Sequence, residues 1–114
     1  MAAFSIDETT VGAATVVRLI GSADLSGQAI LEHEVNRLAA VHPTLVVLDF
    51  SQLTFIASLA VGQLVMLQHA IRRRGGHVRL ANPTDDVRTV LVRCKLTDLL
   101  PIYPSVQAAA EAPR

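Results

Sequence analysis

The sequence predicts an α/β domain built on a small mixed β-sheet, and three observations carry that prediction. Two short strand-like segments near the start, the second rich in β-branched residues, are joined by a brief connection at Val11-Gly12-Ala13-Ala14 and have the form of an antiparallel hairpin. Helical and strand patterns then alternate to the C-terminus, the order that builds crossover connections. Residues 44–50 form an almost unbroken apolar run of strand length, as expected of a strand covered on both faces. At 114 residues the chain, 1–114, has the size of one domain and can bury a core without covalent staples. Its 51% hydrophobic content is far above that of disordered chains.

The elements follow in order. Residues 4–7 alternate apolar and polar as a short edge strand does, and residues 15–20 form the second strand. Gly21-Ser22-Ala23-Asp24 breaks the pattern. A helix over about 26–40 follows, with Ser26 as its N-cap and Ile30, Leu31, Val35 and Leu38 as its apolar stripe. His42-Pro43 ends it. After the strand at 44–50 comes a short polar turn, and then a second helix from Ser58 to Arg74, stopped by Gly75-Gly76. Residues 77–81 form the fourth strand, and Asn82-Pro83-Thr84 turns into a third helix reaching about Arg93, with Val87, Val90, Leu91 and Cys94 inward. A short linker or helical turn over 96–100, a very short strand at Ile102-Tyr103 and an alanine-rich helix over 105–111 complete the order β-β-α-β-α-β-α-β-α.

Composition and spacing remove several function classes. Ten basic and ten acidic residues balance, so the chain lacks the basic excess of a nucleic-acid binder. The N-terminus has no signal-peptide pattern, and no uncharged apolar run approaches the roughly 18 residues of a membrane span. The expectation is a cytoplasmic protein with no membrane insertion. A lone cysteine forms no intrachain disulfide and reads as a small buried hydrophobe. His33, His42, His69 and His77 include no helical i, i+4 pair and are joined by no cysteine or carboxylate cluster, so no metal is expected. No phosphate-cradling glycine loop precedes a helix, and no Ser, His and acid set stands at readable spacing. No cofactor and no enzyme activity are expected. Asp49 reads as a turn residue satisfied by Ser51 or backbone amides, and Arg72-Arg73-Arg74 as a run that solvates a helix end and complements its dipole.

The function-bearing candidate is Ser58, a hydroxyl at a helix start, where a phosphate is electrostatically favoured. The competing reading is a plain N-cap, although the residue three on is Val61 and completes no capping box. On a helical wheel, Ala57, Ala60, Val61, Leu64, Leu67 and Ile71 share the core face. Leu59, Met66 and Ala70 lie near the opposite side, with Gln63, His69 and Arg73 beside them. An outward apolar strip is what a partner covers, unless another helix or a strand end packs on it.

Taken together, Gly21-Ser22-Ala23-Asp24, Val46-Val47-Leu48-Asp49-Phe50, Phe55-Ile56-Ala57-Ser58-Leu59-Ala60-Val61-Gly62 and Arg74-Gly75-Gly76 resemble the STAS domain, the family of bacterial anti-sigma factor antagonists and of domains in sulphate transporters. Leu80-Ala81-Asn82-Pro83 and the segment before the last helix fit it too, so the resemblance spans nearly the whole chain. It implies helices mainly on one face of the sheet. It also implies switched protein binding: an antagonist binds an anti-sigma factor that is also a serine kinase, is phosphorylated at the start of the second helix, and is reset by a phosphatase. The phosphorylated position matches Ser58, and the aspartate of the family's Gly-x-x-Asp turn matches Asp24. The implied partner surface is Asp24, Ser58, Leu59, Gln63 and Met66. The family's antagonists usually read Asp-Ser-Ser/Thr-Gly at this turn, whereas this chain reads Ala57-Ser58-Leu59-Ala60. The alternative is a scaffold or transport-accessory interaction domain with no phosphoryl switch.

Overall fold

The computed structural model describes residues 3–113. Met1 and Ala2, in the N-terminal segment read above for a leader, and Arg114 lie outside the described residues. The strands β1 (Ser5–Val11), β2 (Ala14–Ala23), β3 (Leu45–Ile56), β4 (His77–Ala81) and β5 (Ile102–Tyr103) form one sheet in the order β1-β2-β3-β4-β5. Only the β1–β2 hairpin is antiparallel; the other neighbours are parallel. The helices α1 (Gln28–Val41), α2 (Ser58–Arg73), α3 (Asp85–Arg93) and α4 (Val106–Glu111) supply the connections and the C-terminal cover. The mixed α/β architecture expected from the sequence is the one observed.

β3 shows why the sheet is buried on both sides. Val46, Leu48 and Phe50 point into the main core beneath α1, α2 and α3, while Leu45 and Val47 join Ala14, Val16, Ala81 and Ala109 in a smaller core beneath α4. Three helices thus lie on one face and a short fourth on the other. The residues that α2 turns inward are Ala60, Val61, Leu64, Leu67 and Ile71, as the helical wheel predicts, with Ala57 half-buried at its entrance.

α2 stops through glycine chemistry. Gly75 adopts a left-handed φ of 81°, Gly75 N–H donates to Arg72 O at 2.9 Å, and Gly76 N–H donates to Ile71 O at 3.0 Å. A Cβ on Gly76 would lie 2.7 Å from Ile71 Cγ2 and 3.0 Å from the Thr44 carbonyl, so this position also admits no larger residue without a shift.

Several expectations change. β1 runs to Val11 rather than ending at Asp7, and β2 continues through Gly21 and Ser22 instead of breaking there. The polar turn after Phe50 is a strand: β3 extends to Ile56, its register against β2 slipping between Arg18 and Ile20 and again between Gly21 and Ser22. Asp49, buried, holds the first slip, accepting from Ser51 N–H at 3.0 Å and from Arg18 Nε at 3.2 Å. Its expected partner at Ser51 is therefore present, with an arginine added. Ser26 is not the N-cap of α1. Asp24 caps a single 3-10 turn over Leu25–Gly27, and α1 begins at Gln28. Leu31, Val35 and Leu38 face inward, while Ile30, about 100° round the helix from Leu31, is 45% exposed. Cys94 sits at the C-cap of α3 and is exposed, because the helix ends before that position can turn inward. Val90 is half-buried against the core.

α4 is held by a cation inside the fold. Arg79 of β4 is buried; its Nη1 donates to the Ala109 and Ala112 carbonyls and its Nη2 to the Pro113 carbonyl, each at 2.8 Å. The guanidinium carbon lies 5.6 Å from the centroid of the Tyr103 ring. The charge thereby satisfies carbonyls left open at a helix C-terminus. Arg79→Ala is expected to lower stability by about 2–4 kcal/mol in urea unfolding, since it deletes charge-assisted bonds and leaves a gap beside Tyr103. Amide exchange in α4 should rise more than in α2.

Candidate functional site

The candidate site forms where the C-terminal edge of the sheet feeds two helices. The β2–β3 ladder ends with Ala23 paired to Ile56, and Ala57 N–H donates to the Ala23 carbonyl at 2.9 Å. That bond places the turn containing Asp24 beside the start of α2. Thr54 Oγ1 donates to the Gly21 carbonyl at 3.0 Å and reinforces the pairing on the way. Two consecutive βα units of a parallel sheet thus deliver their helix starts to one edge, where ligands and partners of such sheets commonly bind.

Asp24 is the most tightly held group there. Ser26 donates to its Oδ1 twice, through N–H at 3.0 Å and through the hydroxyl at 2.6 Å, and the Ser22 hydroxyl donates to Oδ2 at 3.2 Å. The Asp24 carbonyl accepts from Gly27 N–H at 3.1 Å. The Ser26 hydroxyl is the main reason the Asp24 carboxyl lies below its ordinary pKa, with Ser22 adding to it and desolvation opposing. The carboxylate's first task is therefore local: it shapes the turn that precedes α1.

Ser58 has the opposite character. It is the first residue of α2 and exposed, and among the described residues its hydroxyl makes no hydrogen bond. The N-cap is Ala57, extended at φ −83° and ψ 157°, with no side-chain cap bond. The cap reading of Ser58 thus has no support in the geometry. The first bond of the helix runs from Val61 N–H to the Ala57 carbonyl at 3.1 Å, so the amides of Ser58, Leu59 and Ala60 precede the helical ladder. The hydroxyl stands free at the positive end of a 16-residue helix.

Large exposed apolar side chains occur on the same elements. Leu59 and Met66 are each 59% exposed, Phe55 at the end of β3 is 48% exposed, and Leu25 beside Asp24 is 74% exposed. Gln63, between Leu59 and Met66 on the helix, is half-buried. No charged residue occurs in α2 from Ser58 to Gln68. Gly62, one turn beyond Ser58 on its face, has nothing within 4 Å of where a Cβ would sit. A mid-helix glycine costs roughly 1 kcal/mol relative to alanine, and no packing inside the fold requires this one. It keeps the helix surface low beside Ser58.

Of the residues singled out in the sequence, Asp24, Ser58 and Leu59 come together at this edge, and Gln63 and Met66 extend the strip along α2. Ala70, read as part of the same strip, is instead half-buried and lines a cleft with Ala39 and His42 of the α1 end. Leu25, Phe55, Gly62, Ser22 and Ser26 were not read as site residues, Ser26 being expected only as a helix N-cap. Leu25 and Phe55 belong to segments expected to be a helix approach and a turn, where an apolar residue carries no periodic signal. No group of three or more His, Cys, Asp and Glu side chains that could hold a metal occurs among the described residues. No described helix is long and apolar enough to cross a membrane.

Residues 5–109 match the family model described as the STAS domain. The anti-sigma-F factor antagonist RsfA of Mycobacterium tuberculosis is 28% identical over 101 residues, spanning 87% of this chain and 79% of its own. An anti-sigma factor antagonist from Mycobacterium paratuberculosis has a similar fold, with a TM-score of 0.86 at 19% identity over 95% of this chain and 92% of that one. SpoIIAA in its unphosphorylated form has a TM-score of 0.74 at 22% identity, over 93% of this chain and 92% of that one. The phosphorylated form of Bacillus SpoIIAA gives 0.69 at 20%, over 93% and 96%.

A direct check exists for the Asp24 turn. A folded carboxyl with a depressed pKa stabilises the fold above the ordinary carboxylate range and loses that contribution as pH falls through its lowered value. Carboxyl-carbon NMR titration should find the Asp24 midpoint below that of an ordinary aspartate. Ser26→Ala should move it upward, and an unmoved midpoint would contradict the assigned cause.

Proposed function

Because the chain belongs to the STAS domain family, we propose that it acts as an anti-sigma factor antagonist: it binds a serine-kinase anti-sigma factor and is switched by phosphorylation at Ser58. The observation that carries this reading is the free, exposed Ser58 hydroxyl at the start of α2, bordered by exposed Leu25, Phe55, Leu59 and Met66. The kinship to RsfA, and to SpoIIAA known in unphosphorylated and phosphorylated forms, supports it.

In this reading the unmodified surface is neutral along α2, and a partner covers it with Leu59, Met66 and Phe55 as apolar contacts and Asp24 and Gln63 as polar ones. In the kinase reaction Ser58 Oγ forms a bond to the γ-phosphorus of ATP, the bond from that phosphorus to the β,γ-bridging oxygen breaks, ADP leaves, and the hydroxyl proton passes to a base on the kinase. The product carries roughly −1.5 to −2 charge at the helix start. The open amides of the first turn tolerate it, so the domain keeps its fold. The docked partner does not: an uncompensated charge buried in an interface costs roughly 3–5 kcal/mol, and each 1.4 kcal/mol is about tenfold in affinity. A phosphatase restores the hydroxyl by transferring the phosphoryl group to water.

The departures from the usual motif are compatible with this chemistry. Ala57 removes a carboxylate that would repel the phosphate from the preceding position, and Leu59 adds apolar area where a second hydroxyl usually stands. They also define the contrary case, a scaffold or transport-accessory domain that binds without switching.

Incubation with the serine-kinase anti-sigma factor of the same genome and ATP should add one phosphoryl mass, located at Ser58 and absent from Ser58→Ala. Ser58→Asp should weaken binding to that partner by about tenfold or more. Retained binding with no label, or equal affinity of the aspartate variant, selects the scaffold reading.

A further inference from the structure

The fold makes no use of Gly62. It lies inside α2 and its φ is not positive, so no left-handed turn calls for glycine there. A Cβ built on it meets nothing within 4 Å, so no neighbouring element needs the space. Gly76 is the contrast, where a Cβ would lie 2.7 Å from Ile71 Cγ2. An exposed glycine in a helix interior lowers the folding equilibrium constant roughly fivefold relative to alanine. Nothing inside the domain offsets that loss.

The place of Gly62 on the helix gives it a use outside the domain. At about 100° per residue, the inward directions of Ala60, Val61, Leu64, Leu67 and Ile71 centre opposite to that of Gly62, which puts Gly62 on the crest of α2. Ser58 precedes it by four residues on the same ridge, and Met66 follows it by four. Helical side chains lean toward the N-terminus and cover the turn before their own Cα. A side chain at position 62 would therefore lie over the Ser58 hydroxyl. Val61, the other residue one turn on, is buried and faces the core. Leu59 stands about 100° round the helix from Ser58 and flanks the hydroxyl instead of covering it.

The reaction defines the space required. Nucleophile and leaving group lie roughly in line through the phosphorus, with the reacting atoms about 3–3.5 Å apart before the bond forms. Ser58 Oγ then bonds to the γ-phosphorus of ATP as the bond to the bridging oxygen breaks; the electron pair leaves with ADP, and the hydroxyl proton passes to a base on the kinase. Cβ positions four residues apart on a helix are separated by only about 5–6 Å. A long side chain at position 62 would fill the volume that the phosphoryl group and the kinase around it must enter, whereas a single methyl adds little to the backbone surface.

Resting on the reading of Ser58 as the phosphorylated residue, we propose that Gly62 is the access residue of that site. By carrying no side chain it keeps the hydroxyl open to the kinase and its nucleotide, and it weakens the helix in doing so.

The test compares the full chain with Gly62→Ala and Gly62→Gln, each incubated with the serine-kinase anti-sigma factor of the same genome and ATP, and each unfolded in urea. Both variants should unfold at higher urea concentration than the unaltered chain, because each replaces glycine with a better helix former. Gly62→Ala should be phosphorylated at Ser58 within about threefold of the unaltered rate, and Gly62→Gln should lose at least about tenfold in kcat/KM. A more stable domain that is a poorer substrate separates access from folding, since a structural role would move both in the same direction. An unaltered chain that takes up no phosphoryl group ends the Ser58 reading and this inference with it. An unaltered chain labelled at Ser58, with Gly62→Gln labelled as fast, overturns the inference alone. A Gly62→Gln chain that unfolds at lower urea concentration also overturns it, by assigning the glycine to the fold.

Discussion

The candidate site depends on the continuation of the β2–β3 ladder beyond the Asp49 bulge. Up to Arg18 and Asp49 the two strands pair in simple parallel register. Beyond that point β3 gains residues on β2, and the pairing survives because Asp49 is tied both to Ser51 N–H and to Arg18. Buried Leu53 and Ile56 then anchor the extension in the main core. The final bond, from Ala57 N–H to the Ala23 carbonyl, fixes the Asp24 turn and the first turn of α2 relative to each other. Without this extension the two helix starts would have no shared frame, and a partner would find Asp24 and Ser58 on independently moving loops.

The division of labour around that edge follows from hydrogen bonding. Asp24, Ser22 and Ser26 satisfy one another, so that turn is a rigid wall. Ser58 is left out of every such arrangement, which makes its hydroxyl available to another molecule. Rigid surroundings with one uncommitted nucleophilic oxygen suit a modification site better than a structural cap. The exposed apolar side chains add the complementary property: they gain from being covered, and a new charge among them is therefore costly only while a partner is bound.

Much of this was legible in the residues. The order of elements followed from periodicity, since Leu45 to Phe50, the stripe of α2 and the double glycine after it are strong local signals. The position of Ser58 at a helix start was equally plain. What the sequence concealed was set by tertiary context. Ser51-Gln52-Leu53-Thr54-Phe55-Ile56 reads as a turn because the bulge shifts the alternation and exposes Phe55, so both the length of β3 and an apolar contact at the site were hidden. Ile30 is exposed because it lies about 100° round the helix from Leu31, off the stripe formed by Leu31, Val35 and Leu38. Arg79 lies in a short strand with no sequence sign that α4 would fold over it and offer three carbonyls.

The central claim is that a docked protein distinguishes a hydroxyl from a phosphate at the start of α2. The most direct measurement is calorimetric titration of the anti-sigma partner against two preparations of the full chain, one bearing authentic phosphoserine at position 58 and one unmodified. The phosphorylated chain should bind at least about tenfold more weakly, with its own fold and thermal midpoint little changed. Equal affinity of the two preparations would contradict the claim.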